Sequence, residues 1–524
     1  MTGGADRSDV GGDMGLDTAG VDVLVAGCGP VGGVLAALLG AYGVRVLVVD
    51  PYTEPYPRPR AAMLDAGVRR ILRRVPGLAD VEGWATPVRH GRVLGPDHRV
   101  LFDARIPGDE LDPPAAVLID QPRLETAVRA SLSAAPTVRL RLGRSVVGVE
   151  QTDEHVEALL DDGGRVRANW LVGCDGAASA VRGLLGVAYE GVSFPEPWLV
   201  VDASSAPIPD AEPSFAYVLD PARPLVTMSR VGAHRWEWLV LPGEDPATMV
   251  QDGEIRRLVG AWVDPDSVRI RRASVFTFHA RMASRWRTGR VLLAGDAAHS
   301  MPPFVGQGLG SGIRDAANLS WRLAQVVRGV DDPVSLDGYE RERRPDVRAT
   351  TAMALRMGRI VQNRGRVGSA LLRSLIRTAG AVPGLAAFVG RHGQPAERLP
   401  RGTAGRHPGA GRLLPDARLR TPTGTVLRLD DLLGNRWAVI GYGGDPYWHL
   451  DAGARRWVSD RDAMVFALVP RGRRSPKGLD CPVFEDLDGV LSRPRRQAVT
   501  IVRPDRFLLG TLPVPLSVAR LTAP

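Results

Sequence analysis

Three short clusters of glycine and aspartate carry the chemistry of this chain. The first is Gly27-Cys28-Gly29-Pro30-Val31-Gly32, which follows the apolar run Val21–Ala26 and opens an apolar stretch reaching Tyr42. Gly27 suits a tight turn, Gly29 lets a pyrophosphate approach the backbone, and Gly32 lets helix and strand pack closely. With Pro30 and Val31 in its first turn, the helix presents unpaired N–H groups and a partial positive charge to a phosphate. Asp50 lies 18 residues beyond Gly32, at the end of the run Arg45–Val49. A carboxylate there can bond the hydroxyls of an adenosine ribose. The motif predicts a dinucleotide and leaves FAD and NAD both open.

The second cluster is Asp175-Gly176, after Leu171–Cys174. The third is Gly295-Asp296, followed by His299, Pro302, Pro303, Gly306, Gln307 and Gly308. Each reads as a buried strand ending in a Gly/Asp loop that opens a helix. An aspartate capping a helix is the plain alternative. The third loop holds two prolines and several glycines ahead of a long helix, and a helix amino end there would stabilise negative charge on a ring placed before it.

Elements must position these loops. Val21–Ala26, Pro30–Tyr42 and Arg45–Val49 form a βαβ unit. Ala62–Arg74, Arg123–Ala134, Gly308–Val327 and Ser335–Val361 read as helices, and 146–172 as hairpin strands turning at Asp161–Gly164. From Trp198 to Phe278 strands dominate, with one helix over Ala247–Trp262. After a Gly/Arg/Pro-rich linker at Gly402–Gly411, strands recur at Trp437–Tyr442, Ala463–Pro470 and Ala498–Arg503. The expected organisation is a disordered leader over 1–20, a discontinuous dinucleotide-binding domain over 21–190 and 280–400, a β-sheet substrate domain over 191–279, and a C-terminal domain over 405–524.

Composition sets bounds. The charge is +9, but of 67 basic residues only Lys477 is lysine and the arginines are dispersed, so a nucleic-acid partner is not expected. Apolar runs are too short to span a bilayer and no signal peptide is evident, which predicts a cytoplasmic protein. Cys28, Cys174 and Cys481 lack metal-ligand spacing, and no metal site is expected.

The three clusters, in this order and at these distances, resemble the para-hydroxybenzoate hydroxylase type of flavoprotein monooxygenase across roughly Val21–Arg348. The resemblance implies an α/β fold: a Rossmann-like FAD-binding domain, a β-sheet substrate domain and a thioredoxin-like C-terminal domain. It implies FAD as cofactor, NADPH or NADH as co-substrate without a Rossmann site of its own, and O2. Asp296 would hold the ribityl chain, and Asp175-Gly176 would touch the pyrophosphate and the nicotinamide nucleotide. Arg60 and Gln121 would contact FAD, while Gly306, Gly308, Leu309 and Gly310 would offer backbone N–H groups to the flavin edge. Gly310 departs from the family, which usually has asparagine there. Asp220–Pro224, Arg235-Trp236-Glu237, Leu241–Glu244 and Val502–Asp505 resemble the 3-(3-hydroxyphenyl)propionate hydroxylase branch, which includes actinobacterial hydroxylases of aromatic natural products. The C-terminal segment lacks Cys-x-x-Cys, which excludes thiol redox chemistry there.

The substrate is expected between the second domain's sheet and the flavin. After a turn at Gly232-Ala233, the residues His234, Trp236, Trp238 and Val240 share one face by period two. Two readings stand: the tryptophans are core, or they line the cavity, as the resemblance favours. By the resemblance Tyr217 and Arg230 would bond a phenol and a carboxylate, and Met228 stands where a serine also contacts the substrate. A phenol larger or less polar than a simple hydroxybenzoate is implied. Oxygen transfer would run through a flavin C4a-hydroperoxide, with Pro303 placing a carbonyl near the reacting region and Tyr217 favouring phenolate. Trp236-x-Trp238 also resembles flavin halogenases, but Pro242 falls one residue too late. Baeyer–Villiger oxidation, epoxidation or modification of an aromatic antibiotic would use the same scaffold, and a flavin-binding protein that does not oxygenate is the other class. The protein is expected as a monomer or homodimer.

Overall fold

A computed structural model gives the fold; it describes residues 20–55, 61–78, 83–106, 115–205, 212–230, 232–392, 398–400, 407–473, 476, 478–491 and 498–513. The expected leader therefore falls almost wholly outside the described residues.

Four adjacent parallel strands form the heart of the first sheet: Val291–Leu293, Arg165–Gly173, Val21–Ala26 and Val46–Asp50, with Val138–Leu142 continuing it beyond Val46–Asp50. Val46–Asp50 is buried throughout, the pattern of a parallel strand covered on both faces. The helix Pro30–Ala41 lies between Gly308–Val327 and Gln121–Ala134. That approach needs small residues: a Cβ on Gly40 would sit 2.7 Å from Val138.

The second sheet has seven strands in the order Val268–Phe276, Trp198–Ser205, Ala233–Leu239, Leu225–Arg230, Ser214–Val218, His90–Leu94 and Val100–Arg105. Its last two strands come from within the 21–190 segment. One face packs on the helix Asp252–Val259 around Trp236 and Trp238. The other faces the loops that follow the first sheet, with Trp198, Val226 and Leu239 packed on Phe304.

A third sheet closes the C-terminal segment. Ala438–Tyr442, Met464–Pro470 and Val483–Asp486 run parallel, and the hairpin Ala498–Val502/Leu508–Pro513 pairs antiparallel on the far side of Ala438–Tyr442. The helix Ala452–Asp460 connects the first two of these strands. A βαβ unit followed by a hairpin is the order expected for a thioredoxin-like sheet.

Some elements differ from expectation. The stretch expected as one helix from Ala62 begins as a strand, Met63–Asp65, which pairs with Ala116–Leu118; Asp65 then accepts the Val68 N–H and caps the helix Ala66–Arg73. Ala247–Trp262 divides into Pro246–Met249 and Asp252–Val259. Two helices, Arg366–Ala381 and Leu385–His392, were not expected at all.

Candidate active site

At the first loop each glycine has a different reason. Gly27 has φ +103°, and a Cβ there would lie 2.7 Å from the Cys174 carbonyl carbon and 2.9 Å from the Asp175 nitrogen. A Cβ on Gly32 would run into the Gly27 carbonyl oxygen. At Gly29, the helix N-cap, a Cβ would meet nothing within 4 Å. The loop is closed toward the protein at Gly27 and Gly32 and open at Gly29, the shape a pyrophosphate requires. Asp50 is buried and binds the loop itself, accepting from Cys28 N at 2.6 Å and Tyr52 N at 2.8 Å.

Beside it, Gln121, Glu125 and Arg129 recur every fourth residue on one helix face and are all buried. Gln121 accepts from Ala61 N and donates to Glu125. Arg129 reaches the Thr53 carbonyl at 2.7 Å and stands 3.7 Å from Asp50, while its Nε is sealed without an acceptor. An arginine with one unmet N–H at the ribose end of an open phosphate loop fits an adenine dinucleotide. Glu125 and Arg129 are absent from the sequence reading, although their spacing from Gln121 could have pointed to them. Arg60 lies outside the described residues. Burial pushes the Cys28 thiol up to about 12 and raises that of Cys174 as well, so neither supplies a thiolate.

Asp175 caps its own turn, accepting from Ser179 Oγ and from Val181 N at 3.0 Å, and Gly176 follows at φ +82° with open space beside it. Arg182 ties the second loop to the third: its guanidinium donates to Ala177 O and Ala297 O and lies over the Tyr189 ring, whose hydroxyl donates to the Asp296 carbonyl. The Asp296 side chain is half-buried on the short 3-10 turn Gly295–Ala297.

Beneath the third loop lies a buried triad of ionisable groups that sequence reasoning missed. Asp315 accepts from His299 at 2.6 Å, Arg343 at 2.8 Å and the Gly295 N–H at 3.2 Å. Burial alone would raise its carboxyl, but His299 and Arg343 outweigh that and hold it below the usual range. Pro303 opens the turn Pro303–Val305, Gly306 ends it at φ +64°, and Gly308 starts the long helix without a capping side chain on Gln307. Gln307 thus offers no side-chain cap to the N–H groups of Gly308, Leu309 and Gly310, which as the first turn lack intrahelical acceptors. At Gly310, the departure from the family, Arg314 occupies the space: its Nη1 would lie 2.9 Å from a Cβ there, and its Nη2 binds both oxygens of Asp65 at 2.9 Å.

A cavity of about 360 Å³ opens between the inner face of the second sheet and the strands around Thr86 and Leu118. Met228, Arg230 and His234 line it, together with Asp120, Asp202 and Arg235. Arg235 is clasped by Asp202 at 2.7 and 3.0 Å. Arg230 has no hydrogen-bond or ion-pair partner among the described residues. Tyr217 is on the same inner face as Met228, two residues along, and its hydroxyl donates to the Phe304 carbonyl beside Pro303. Burial, and then Glu237, raise the Tyr217 hydroxyl above its usual range, so it remains protonated.

Trp236 and Trp238 do not reach this cavity. They stack on each other, with His234 continuing the row, on the outer face and pack under Asp252–Val259. His234 touches the cavity only from the end of the hairpin, with Nε2 3.2 Å from Ser205 Oγ. Period two is correct for this strand, but the inward set is Arg235, Glu237 and Leu239.

A family described as an FAD binding domain matches residues 20–354, more than half of the chain. The chain belongs to this FAD-binding family. The HcaD C-terminal domain matches residues 411–520 of the flavoprotein. Over 520 residues the flavoprotein is 34% identical to the 3-(3-hydroxy-phenyl)propionate/3-hydroxycinnamic acid hydroxylase of Klebsiella pneumoniae (strain 342), covering 96% of this chain and 93% of that one. The hydroxylase of the same name from Mycobacterium sp. (strain KMS) is 35% identical over 508 residues, with 93% and 88% covered. Among solved structures, OxyS anhydrotetracycline hydroxylase from Streptomyces rimosus has 27% identity and a TM-score of 0.70 over 94% of this chain and 96% of that one. Aklavinone-11 hydroxylase in complex with FAD and aklavinone shares the fold, with 24% identity, a TM-score of 0.74, and 95% and 96% covered. The protein is a flavoprotein aromatic monooxygenase that uses FAD, NAD(P)H and O2. No helix among the described residues is long and apolar enough to cross a membrane.

Proposed function

We propose that this flavoprotein hydroxylates a phenol bearing a short acidic arm. The observation that carries the reading is the mixed cavity between the second sheet and the strands around Thr86 and Leu118, in which Arg230 stands without a carboxylate partner among the described residues. At about 360 Å³ the cavity is near the small end of the usual range for ligand pockets, roughly 300–1,000 Å³. It suits one ring and its substituent better than a fused polyketide. The near full-length similarity to hydroxylases of 3-(3-hydroxyphenyl)propionate supports the same class.

Gly27, Gly29, Gly32, Asp50, Gln121 and Arg129 would hold the adenosine and pyrophosphate, Asp175, Gly176 and Asp296 the middle of FAD, and 306–310 the flavin edge. Bound FAD, reduced by NAD(P)H, supplies the activation of O2. The chain contributes position and exclusion of water. Arg230 takes the acidic arm, Met228 flanks the ring, and Phe304, Trp198 and Leu239 form a dry wall beyond it. Tyr217 fixes the Pro303–Phe304 turn to the sheet, setting the distance between substrate face and flavin face. The anhydrotetracycline hydroxylase likeness favours a second reading, a phenolic polyketide.

The test is NAD(P)H oxidation by the FAD-loaded protein with 3-(3-hydroxyphenyl)propionate, 3-hydroxycinnamate, anhydrotetracycline and aklavinone, with product masses under 18O2. Addition of one labelled oxygen to the small acids is expected. Turnover confined to the polyketides would favour the second reading, and oxidation of NAD(P)H with no oxygenated product would sink both.

A further inference from the structure

The inner face of Ala233–Leu239 contains a group that the scheme above does not use. Along it run Arg235, which lines the cavity, then Glu237, then Leu239, which packs on Phe304. Glu237 is not itself a lining residue of the cavity; it stands one step deeper on the same strand face, between Arg235 of the cavity and Leu239 of the dry wall. Its side chain is 8% exposed, and its nearest charge is Arg235 Nη1 at 3.8 Å, too far for a hydrogen bond. That guanidinium is already held by both oxygens of Asp202. Glu237 accepts no hydrogen bond from the described residues. A buried carboxyl without a donor costs stability, and such groups persist where a ligand completes them. The titratable groups around it are Arg235 on its own strand, Asp202 on the neighbouring strand, and Tyr217 two strands away, whose proton is committed to the Phe304 carbonyl; Asp120 and Arg272 line the cavity beyond Arg235.

We propose that Glu237 receives the phenolic hydroxyl of the substrate and takes up its proton. The O–H bond breaks, its electron pair stays on the ring oxygen, and the proton bonds to a Glu237 carboxylate oxygen. The ring is thereby made more electron-rich while it faces the flavin, and the proton can return to the product oxygen before release. Neither oxidant nor reductant is consumed. Burial raises the Glu237 carboxyl and Arg235 offsets this only in part, which moves it toward the range of an effective base at neutral pH. The assignment rests on the phenol hydroxylase reading. The apolar wall of Trp198, Leu239 and Phe304 keeps water from the side of Glu237 that faces it, which favours a base at the deep end of the cavity.

The experiment compares the FAD-loaded wild type with Glu237→Gln, using 3-(3-hydroxyphenyl)propionate and a ring-fluorinated, more acidic analogue. Product formation is followed from pH 6 to 10, with the ultraviolet phenol-to-phenolate difference spectrum of the bound probe and thermal unfolding. The expected result is at least a tenfold loss of hydroxylation at neutral pH in Glu237→Gln. The loss recovers as pH rises toward the phenol's own ionisation and is smaller for the fluorinated probe. Bound probe ionises near neutrality in the wild type alone, and Tm is not lowered. An unchanged rate and pH profile overturns the proposal, as does a loss that neither pH nor the acidic probe restores, since that marks a structural role. If the wild type itself hydroxylates neither probe, the functional reading has failed and Glu237 falls with it.

Discussion

At the scale of single residues, the phosphate loop separates folding from binding. A methyl on Gly32 would collide with the Gly27 carbonyl oxygen and stand 3.0 Å from the Cys174 side chain, so helix and strand must part to admit it. Gly32→Ala is expected to cost on the order of 1–3 kcal/mol or more and to lower the Tm of the protein without cofactor. Gly29 is different. Its backbone, at φ −72° and ψ −175°, is open to any residue, and its Cβ would project into empty space. Gly29→Ala should unfold at the wild-type temperature but bind FAD at least tenfold more weakly, because the methyl takes the room of a phosphate. Calorimetric FAD titration beside thermal unfolding of both variants checks this. Equal effects of the two substitutions on Tm would mean that Gly29 too is a packing glycine.

At the scale of elements, Gly295–Ala297 is held from below by the helices Gly308–Val327 and Asp337–Val361. Asp315 binds His299 of the loop and Arg343 of the second helix, and Arg343 continues to the Ser311 carbonyl. Removing one partner leaves a buried charge uncompensated, at about 3–5 kcal/mol. Asp315→Ala should therefore lose most of the folded protein's stability margin, whereas Asp296→Ala should leave Tm nearly unchanged and weaken FAD binding. Urea unfolding of the two variants separates a loop's support from its contact surface. The supporting triad was hidden in the sequence because its members lie 16 and 28 residues apart and only the fold brings them together. The βαβ unit and the Gly308–Val327 helix were legible, since periodicity and glycine spacing are local. The substrate strand was half legible. Alternation groups His234 with Trp236 and Trp238, but it cannot say which face is inward, and choosing the wrong one exchanges the whole set. Here an Arg-Trp-Glu-Trp strand puts its charges on the inner face, Arg235 at the cavity, and its tryptophans under a helix. Arg366–Ala381 escaped notice because its apolar positions Val367, Leu371 and Leu375 are exposed, and neighbouring arginines blur the pattern.

At the scale of the molecule, the C-terminal sheet is fastened to the flavin-binding part through buried ions. Glu342, on the helix Asp337–Val361, binds Arg503 at 2.7 and 2.8 Å and Arg322 at 2.8 Å, and Asp505 completes the set against Asn318 and Trp321. Asp430 repeats the arrangement with Arg70 and Arg506. Burial would raise the Glu342 carboxyl, but Arg322 and Arg503 outweigh it and push it down to about 2. Its folded value thus lies below the ordinary ~4.3 of an unfolded glutamate. The stabilisation is complete above about pH 4.5 and disappears as pH falls toward 2; at 1.36 kcal/mol per unit it amounts to about 3 kcal/mol. Since Asn318, Trp321 and Arg322 belong to the helix whose amino end is proposed to hold the flavin edge, loosening this interface should also loosen the cofactor. Glu342→Gln is therefore expected to lower Tm at pH 7 and to release FAD faster, with the gap in Tm to wild type closing between pH 4.5 and 2. Thermal unfolding across that range, with flavin fluorescence reporting release, checks both. A gap in Tm that stays constant down to pH 2 would mean that Glu342 acts through shape rather than charge.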